Sequence, residues 1–166
     1  MEYDKEMACA KCQQGRTAHS FEDLGTLQNG VRVFYTCPAR RDDFNDNDFL
    51  TDFSKHLLAT ENKPWIWLFD CQGYQAKHML GLKDSIGLLR IFETTYKDTL
   101  QAMYVVNEAW YFHLFLKTVK PLMKAETKAK LHQIAGSPLE AAVELGKVGI
   151  PFSISKRIRD PIRPKI

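Results

Sequence analysis

Hydrophobic residues in this chain form two short unbroken runs separated by a long amphipathic stretch. The runs are WIWLF at residues 65–69 and MYVV at residues 103–106. Unbroken runs of aromatic and β-branched residues are typical of strands buried on both faces. Between them, apolar residues recur at helical spacing from residue 80 to residue 96. This stripe consists of Leu82, Ile86, Leu89, Phe92 and Tyr96. Strand, crossover helix and strand predict a right-handed βαβ unit in a mostly parallel sheet.

Two further elements are predicted upstream of this unit. Residues 31–35 alternate after the turn signal Asn29-Gly30 and predict a strand that Pro38 ends. Asp48 is a predicted N-cap, because a short acidic side chain accepts hydrogen bonds from the first backbone amides of a helix. That helix would bury Phe49, Leu50, Phe53 and Leu57. Residues 1–28 show no sustained period, so we expect them to be loosely ordered.

An aromatic segment, WYFHLFLKTV at residues 110–119, is apolar around most of a helical circumference. Such a helix is buried or meets lipid. Packed over a sheet, it can leave an apolar slot for a ligand. The candidate lining residues are Trp110, Phe112, Phe115 and Leu116. The alternative is that these side chains simply pack on one another.

The last third of the chain predicts two helices and a strand. Pro121 interrupts the aromatic helix, and a short helix carrying Thr127 and Lys130 leads into a strand at residues 131–134. Ser137, Pro138 and Glu140 then match the cap, first-turn and capping-box positions of a final helix. We expect that helix to bury Leu139 and Val143, with Ala142, and to end at Gly146.

Composition and charge narrow the class of protein. A chain of 166 residues is expected to form one domain, and no apolar run is long enough to span a bilayer. The acidic N-terminus lacks an apolar signal core, and four cysteines do not make a disulfide scaffold. These features predict a cytoplasmic protein with reduced thiols.

The basic charge is concentrated at the C-terminus. The last eleven residues hold five basic side chains and one acidic side chain, while the whole chain has a net charge of +3. Residues 153–166 are therefore predicted to form a flexible basic tail. Such a tail is suited to peripheral contact with an anionic membrane or an acidic partner. A solvated terminus without a role is the alternative.

A Cys-x-x-Cys pair, Cys9 and Cys12, lies near the N-terminus, and His19 follows it. A zinc site requires four ligands, and Cys37 is available as the fourth only if the chain folds back. The sequence contains no second Cys-x-x-Cys and no flanking βαβ pattern of a thioredoxin-like site. We therefore expect an incidental pair of thiols and predict no metal site.

Catalytic and nucleic-acid signatures are missing from the sequence. It contains no G-x-S-x-G elbow, P-loop, G-x-G-x-x-G or H-E-x-x-H motif. Cys71 follows a buried strand, but no neighbouring motif supplies a base, so a buried structural thiol is expected. Basic residues are not interleaved with aromatic residues on one predicted face. These observations predict a non-enzymatic protein with no cofactor and no nucleic-acid partner.

Several motifs in this order and spacing resemble the CRAL-TRIO lipid-binding family. They are an aspartate and a glycine closing a buried strand, a strand ending in asparagine, and a Lys-Pro run followed by Thr-x-x-Lys. The matching residues are Asp70, Gly73, Asn107, Lys120, Pro121, Leu122, Met123, Thr127 and Lys130. The resemblance covers roughly residues 30 to 151.

The resemblance implies a three-layer α/β fold at residues 29–152, with a mostly parallel sheet of about five strands and helices on both faces. It also implies binding, with possible transfer, of a hydrophobic ligand such as a phospholipid, tocopherol or retinaldehyde. Members that transfer phosphatidylinositol hold the headgroup with an acid and a Thr-x-x-Lys. The corresponding residues here are Asp98, Thr127 and Lys130, which makes a phosphoinositide the candidate ligand.

Two features depart from the usual family pattern. The family's N-terminal helical lobe has no counterpart in this sequence, and the matched region ends in Ile150-Pro151. This short form is similar to the BCH subgroup. Membership of that subgroup implies an alternative function, a protein-interaction scaffold for small GTPases or their regulators.

Overall fold

The computed structural model describes residues 9, 12, 19–40 and 48–162. Within these residues, five strands form one sheet in which the spatial order follows the order along the chain. The strands are β1 (Glu22–Thr26), β2 (Arg32–Thr36), β3 (Trp65–Asp70), β4 (Leu100–Val106) and β5 (Leu131–Gln133). β1 pairs antiparallel with β2, and every later pair is parallel. The predicted fold class, a mixed α/β protein with a mostly parallel sheet, is confirmed.

Helices cover both faces of this sheet. They are α1 (Phe49–Leu57), α2 (Leu82–Thr94), α3 (Trp110–Val119), α4 (Ala125–Lys130), α5 (Pro138–Lys147) and α6 (Phe152–Ser155). A 3-10 turn at Lys156–Arg159 follows α6. Side chains of α1, α2 and α3 pack with one face of the sheet, and α5 with the C-terminal segment packs on the other. The result is a three-layer arrangement.

The central strand β3 is buried on both faces, as its unbroken apolar run predicts. Trp65 and Trp67 belong to the core under α1 and α2, while Ile66 and Leu68 belong to the core under α5. Successive side chains of a strand point to opposite faces, so both faces of β3 need apolar residues. The helix predicted after this strand also forms, but Leu82 at its start is 55% exposed rather than buried.

Helix α5 begins as predicted but presents a different face to the sheet. The capping box forms, with the Glu140 backbone amide donating to Ser137 Oγ at 3.2 Å and the Ser137 amide donating to Glu140 Oε2 at 2.8 Å. The predicted burial of Leu139 and Val143 is wrong, because both are exposed. The predicted burial of Ala142 is confirmed, and Ala141 and Leu145 face the sheet beside it. Alanine lets the helix approach closely, and the helix runs one residue past Gly146.

The N-terminal region contains a strand that the sequence pattern does not reveal. Residues 22–26 fall within the stretch expected to be loosely ordered, yet they form the edge strand β1. The strand is short, polar and interrupted by a register shift between Asp23 and Gly25, so it lacks the alternation that predicts a strand. The domain bounds predicted from the sequence, residues 29 and 152, stay a prediction.

The C-terminal segment is folded on the domain as far as residue 162, so the prediction of a flexible tail from residue 153 is wrong there. Ile158 is fully buried in the core beneath α5, and Ile154 and Ile162 pack against the same cluster. These isoleucines recur every fourth residue, which is helical spacing. Arg157 forms an ion pair with Glu22 of β1 at 3.0 Å. Residues 163–166 lie outside the described residues.

A buried carboxylate ties this segment to the ends of the strands. Asp70 is fully buried and accepts hydrogen bonds from Tyr35 Oη at 2.6 Å, Asn107 Nδ2 at 2.9 Å and the Gln72 amide at 2.9 Å. Asn107 Nδ2 also donates to the carbonyl oxygen of Ile158 at 3.0 Å. Burial raises the pKa of Asp70 above its ordinary value, although its donors act in the opposite direction.

Replacing this carboxylate tests its contribution to stability. We expect Asp70→Ala to lower the free energy of unfolding by about 2–4 kcal/mol, because Tyr35 and Asn107 lose a buried acceptor. The measurement is urea unfolding, with Asp98→Ala as the matched change at an exposed aspartate, expected to stay within about 0.5 kcal/mol.

The pH dependence of this difference follows from the raised pKa of Asp70. Between the ordinary aspartate pKa of about 3.9 and the higher value in the folded protein, the native state binds the proton more tightly than the unfolded chain. The contribution of Asp70 to stability therefore falls as the pH rises through that window and stays lower above it. The gap between the parent and Asp70→Ala should be larger at low pH than at pH 7. A gap that widens toward pH 7 would contradict the raised pKa.

Candidate functional site: an apolar cavity

An open cavity lies between the sheet and helices α1, α2 and α3. The space within it is about 1070 Å³, a figure that includes volume open to solvent. Sites for small-molecule ligands are lined mainly by apolar and aromatic side chains with a few polar groups. The lining of this cavity therefore fits an apolar ligand.

The sheet supplies the floor of the cavity. Trp67 and Phe69 of β3 and Met103 of β4 point into it, and Leu131 of β5 extends the floor toward the edge of the sheet. They share one face because alternate residues of a strand lie on the same side. The neighbouring residues Ile66 and Leu68 face the opposite core.

Apolar side chains of three helices form the walls. The lining residues on these helices are Phe49 and Phe53 of α1; Leu88, Leu89 and Phe92 of α2; and Phe112, Phe115, Leu116 and Val119 of α3. Aromatic contacts connect walls and floor, with Phe112 stacked on Phe69 at 4.9 Å and Phe92 tilted on Trp67 at 4.9 Å between ring centroids. These ring contacts join the wall helices to the sheet, whereas the small alanines of α5 pack on the other face.

Polar groups inside the cavity are bonded to the protein itself. Thr36 Oγ1 accepts from Trp67 Nε1 at 2.8 Å, and Ser85 Oγ donates to the carbonyl oxygen of Gly81 at 2.9 Å. Ser20 Oγ accepts from the backbone amide of Cys37 at 2.8 Å. With these groups engaged, the inner surface is effectively apolar.

Three of the four slot residues predicted on the aromatic helix line the cavity. Phe112, Phe115 and Leu116 do so, but Trp110 does not, because it is 70% exposed. Tyr111 and Leu114 are exposed as well. A helix that is apolar all round does not reveal which side faces the sheet, so the sequence could not exclude Trp110.

The part of the cavity lining that lies at α4, called the mouth here, is polar. Thr127 and Lys130 of this part line the cavity and also an adjoining pocket. That pocket contains two further lysines and two glutamates: Lys97, Lys124, Glu93 and Glu126. Lys130 Nζ donates to the carbonyl oxygen of Lys97, and Lys97 Nζ lies 3.7 Å from Glu126 Oε2. Apolar and charged surfaces thus meet at Thr127 and Lys130.

The predicted acid of the headgroup site is not at this mouth. Asp98 is exposed and lines neither the cavity nor the polar pocket. Glu93 at the end of α2 is in the pocket, and its Oε2 atom is buried without a hydrogen-bond partner among the described residues. Glu93, Lys97 and Lys124 were not predicted as site residues from the sequence. Glu93 directly follows Phe92, a member of the apolar stripe of α2, and this adjacency was the available signal in the sequence.

Three more of the residues that carry the family resemblance have structural roles. Asp70 and Asn107 belong to the buried carboxylate network described above. Gly73 has φ +68°, and a Cβ there would lie 3.0 Å from Ile162, so the position favours glycine.

Cys71 is fully buried, and burial raises the pKa of its thiol far above the ordinary value. A protonated, enclosed thiol is a poor nucleophile.

An α/β domain with an apolar cavity on one face of its sheet is the class that this fold and site define. The sequence model of the CRAL/TRIO domain family matches residues 48–146, more than half of the chain. The chain therefore belongs to the CRAL/TRIO domain family, whose members in general bind lipids or other hydrophobic molecules. No curated protein matches this sequence closely enough to show a relationship.

Solved structures share the fold. The crystal structure of Sfh5 superimposes with a TM-score of 0.58 at 15% sequence identity, over 89% of this chain and 57% of Sfh5. This chain thus spans little more than half the length of Sfh5, and at this identity the likeness concerns the fold alone. Among the described residues, none of the helices combines the length and the apolar character needed to cross a bilayer.

Truncating two aromatic residues of α3 tests which side of the helix faces the sheet. Phe112→Ala should lower the free energy of unfolding by about 3 kcal/mol, because Phe112 is 2% exposed and stacks on Phe69. The matched change Trp110→Ala, on the exposed side, should cost less than about 0.5 kcal/mol. Denaturant titration of both variants gives the comparison, and equal losses would contradict the orientation of α3.

Proposed function

We propose that this chain binds a phospholipid, with the acyl chains in the cavity and an anionic headgroup at the mouth. A phosphoinositide is the candidate ligand. The observation that carries the proposal is the position of Thr127 and Lys130, where the apolar cavity meets a pocket containing three lysines. A molecule with an apolar body and a negatively charged end matches both parts of this site.

The acyl chains would occupy the aromatic part of the cavity. Its floor and walls are apolar, and its inner hydroxyl groups are bonded within the protein. Removing apolar chains from water into this space contributes about 25 cal/mol per Å² of buried surface. This part of the site selects for hydrophobicity and does not identify the headgroup.

The headgroup would be selected by charge and hydrogen bonding at α4. Lys130, with Lys124 and Lys97 nearby, supplies ammonium donors for a phosphate, and Thr127 supplies a hydroxyl group. The unpartnered Glu93 Oε2 is placed to accept a hydrogen bond from a headgroup hydroxyl. We therefore propose Glu93, in place of Asp98, as the acid that distinguishes a polyhydroxylated headgroup.

The exposed side of α3 is the proposed contact with a membrane during ligand exchange. Trp110, Tyr111 and Leu114 form an apolar surface on the same helix that walls the cavity, and Leu122 is exposed just beyond it. Exposed aromatic and aliphatic side chains of this kind insert into the interfacial layer of a bilayer. Lys117 and Lys120 are exposed on the same segment and would face anionic lipid.

Ligand loading is tested by placing a charge in the cavity. Phe115→Glu should abolish co-purification of lipid, because a carboxylate loses its hydration in an apolar cavity without gaining a partner. Native mass spectrometry of the intact protein measures the loaded fraction. Trp110→Glu is the matched control on the exposed side of the same helix, and it should keep its ligand while transferring it more slowly between liposomes.

Headgroup choice is tested at Lys130. Lys130→Ala should weaken phosphoinositide binding by about one to two decades, since a charge-assisted hydrogen bond contributes about 1.5–3 kcal/mol when shielded from water. Binding of a neutral sterol should not change. Lys128→Ala is the matched control, because Lys128 is exposed and lines neither pocket. Equal losses in the two variants would indicate general electrostatic attraction instead of a headgroup site.

The alternative function is a protein-interaction scaffold, and the apolar surface of α3 also suits a protein partner. A pull-down with small GTPases and their regulators, repeated with Trp110→Glu, separates the two proposals. Capture of a GTPase that Trp110→Glu abolishes, together with ligand-free protein and no transfer between liposomes, would favour the scaffold over lipid binding.

A further inference from the structure

A group of two cysteines and two histidines lies outside the cavity, beside α1. Cys9 and Cys12 precede β1, His19 follows them, and His56 lies near the end of α1. The ligand atoms of these four residues all lie within 4.8 Å of one another. The sequence predicts no site here because His56 is far from the other three along the chain.

Two sulfur–nitrogen distances within this cluster are close to those across a zinc tetrahedron. His19 Nδ1 lies 3.3 Å from Cys9 Sγ and 3.6 Å from Cys12 Sγ. In a tetrahedral site, Zn–S bonds of about 2.3 Å and Zn–N bonds of about 2.0–2.1 Å separate sulfur from nitrogen by about 3.6 Å. Both sulfur–nitrogen separations therefore suit ligands of a common ion, and the remaining donor atoms lie within 4.8 Å of one another.

His56 provides a second, independent observation. Its side chain is 4% exposed, and its Nε2 atom is buried without a hydrogen-bond partner among the residues that the structure describes. The rings of His56 and His19 are 5.3 Å apart between centroids. A buried ring nitrogen without a partner is costly, and a bond to a metal ion would satisfy it.

We propose that Cys9, Cys12, His19 and His56 bind one zinc ion in a structural site. Two thiolates and two imidazoles in tetrahedral arrangement favour Zn²⁺ over Mg²⁺ and Ca²⁺, which prefer oxygen ligands. Cys9, His19 and His56 are at most 4% exposed, so the site is enclosed. Four protein ligands leave no open position for a substrate, which makes the site structural and not catalytic.

The ion would fasten the segment before β1 to helix α1. That helix forms a wall of the ligand cavity through Phe49 and Phe53, and the ring of His19 lies 5.8 Å from that of Phe49. Ser20, next to His19, also lines the cavity. Binding of zinc would therefore stabilise one wall of the cavity as well as the N-terminal segment.

The first experiment measures metal in the tag-free, reduced protein. We expect about one equivalent of zinc per chain by elemental analysis, and a lower melting temperature after chelation that zinc restores and Mg²⁺ does not. Replacement by Co²⁺ should give visible bands of a tetrahedral ion and a thiolate-to-cobalt charge-transfer band. Failure of the reduced protein to bind zinc or to give the tetrahedral cobalt spectrum would overturn the proposal.

Ligand variants assign the ion to these residues. Cys12→Ser should lose about half of the charge-transfer intensity, because one thiolate of two remains, and His56→Asn should keep that band while its visible bands change. Loss of an outer-shell partner weakens metal binding by about 10–100-fold, so loss of a ligand should cost at least about 100-fold. His113→Asn, at an exposed histidine of α3, is the control. Unchanged affinity in both ligand variants would show that the metal binds elsewhere.

Discussion

The buried carboxylate of Asp70 is the interaction on which the layout of this domain depends. It accepts hydrogen bonds from β2 through Tyr35, and from the residue after β4 through Asn107. Asn107 Nδ2 also donates a hydrogen bond to the carbonyl oxygen of Ile158 at 3.0 Å. Arg40 Nη2 donates to the carbonyl oxygen of Asp160 at 2.6 Å. A buried carboxylate is costly unless several donors satisfy it, so the strand ends and the C-terminal segment must meet in one arrangement.

Fixing the C-terminal segment closes one face of the sheet and leaves the other for a ligand. On the closed face, Ala141 and Ala142 let α5 approach the strands, and Ile158 fills the remaining space. On the open face, the helices present phenylalanine and leucine to the tryptophans of β3, and large rings hold the layers apart. The difference between small and large residues on the two faces is thus a physical cause of the cavity.

The sequence predicted elements well and the orientation of helices poorly. The central strands were predicted from unbroken apolar runs, because a strand that is buried on both faces of the sheet needs apolar residues at every position. Trp110, Leu139 and Val143 were misplaced because several sides of their helices are apolar, and only tertiary packing chooses between them. Among the residues of the two proposed sites, the sequence indicated Thr127 and Lys130 but not Glu93 or His56, since Glu93 and His56 are brought to their neighbours only by the fold.

Lys130, the residue proposed to contact a headgroup, lies at a junction of two regular elements. Lys130 ends α4, and the next residue, Leu131, begins β5 and pairs in register with Met103 of β4. Leu131 and Met103 both form the cavity floor, so the backbone that carries Lys130 is fixed to the surface on which the apolar part of a ligand would rest. Asp98 instead lies in the turn before β4 and is exposed. A headgroup contact gains selectivity when its donor is held on regular elements, and among the lysines at the mouth Lys130 meets that condition.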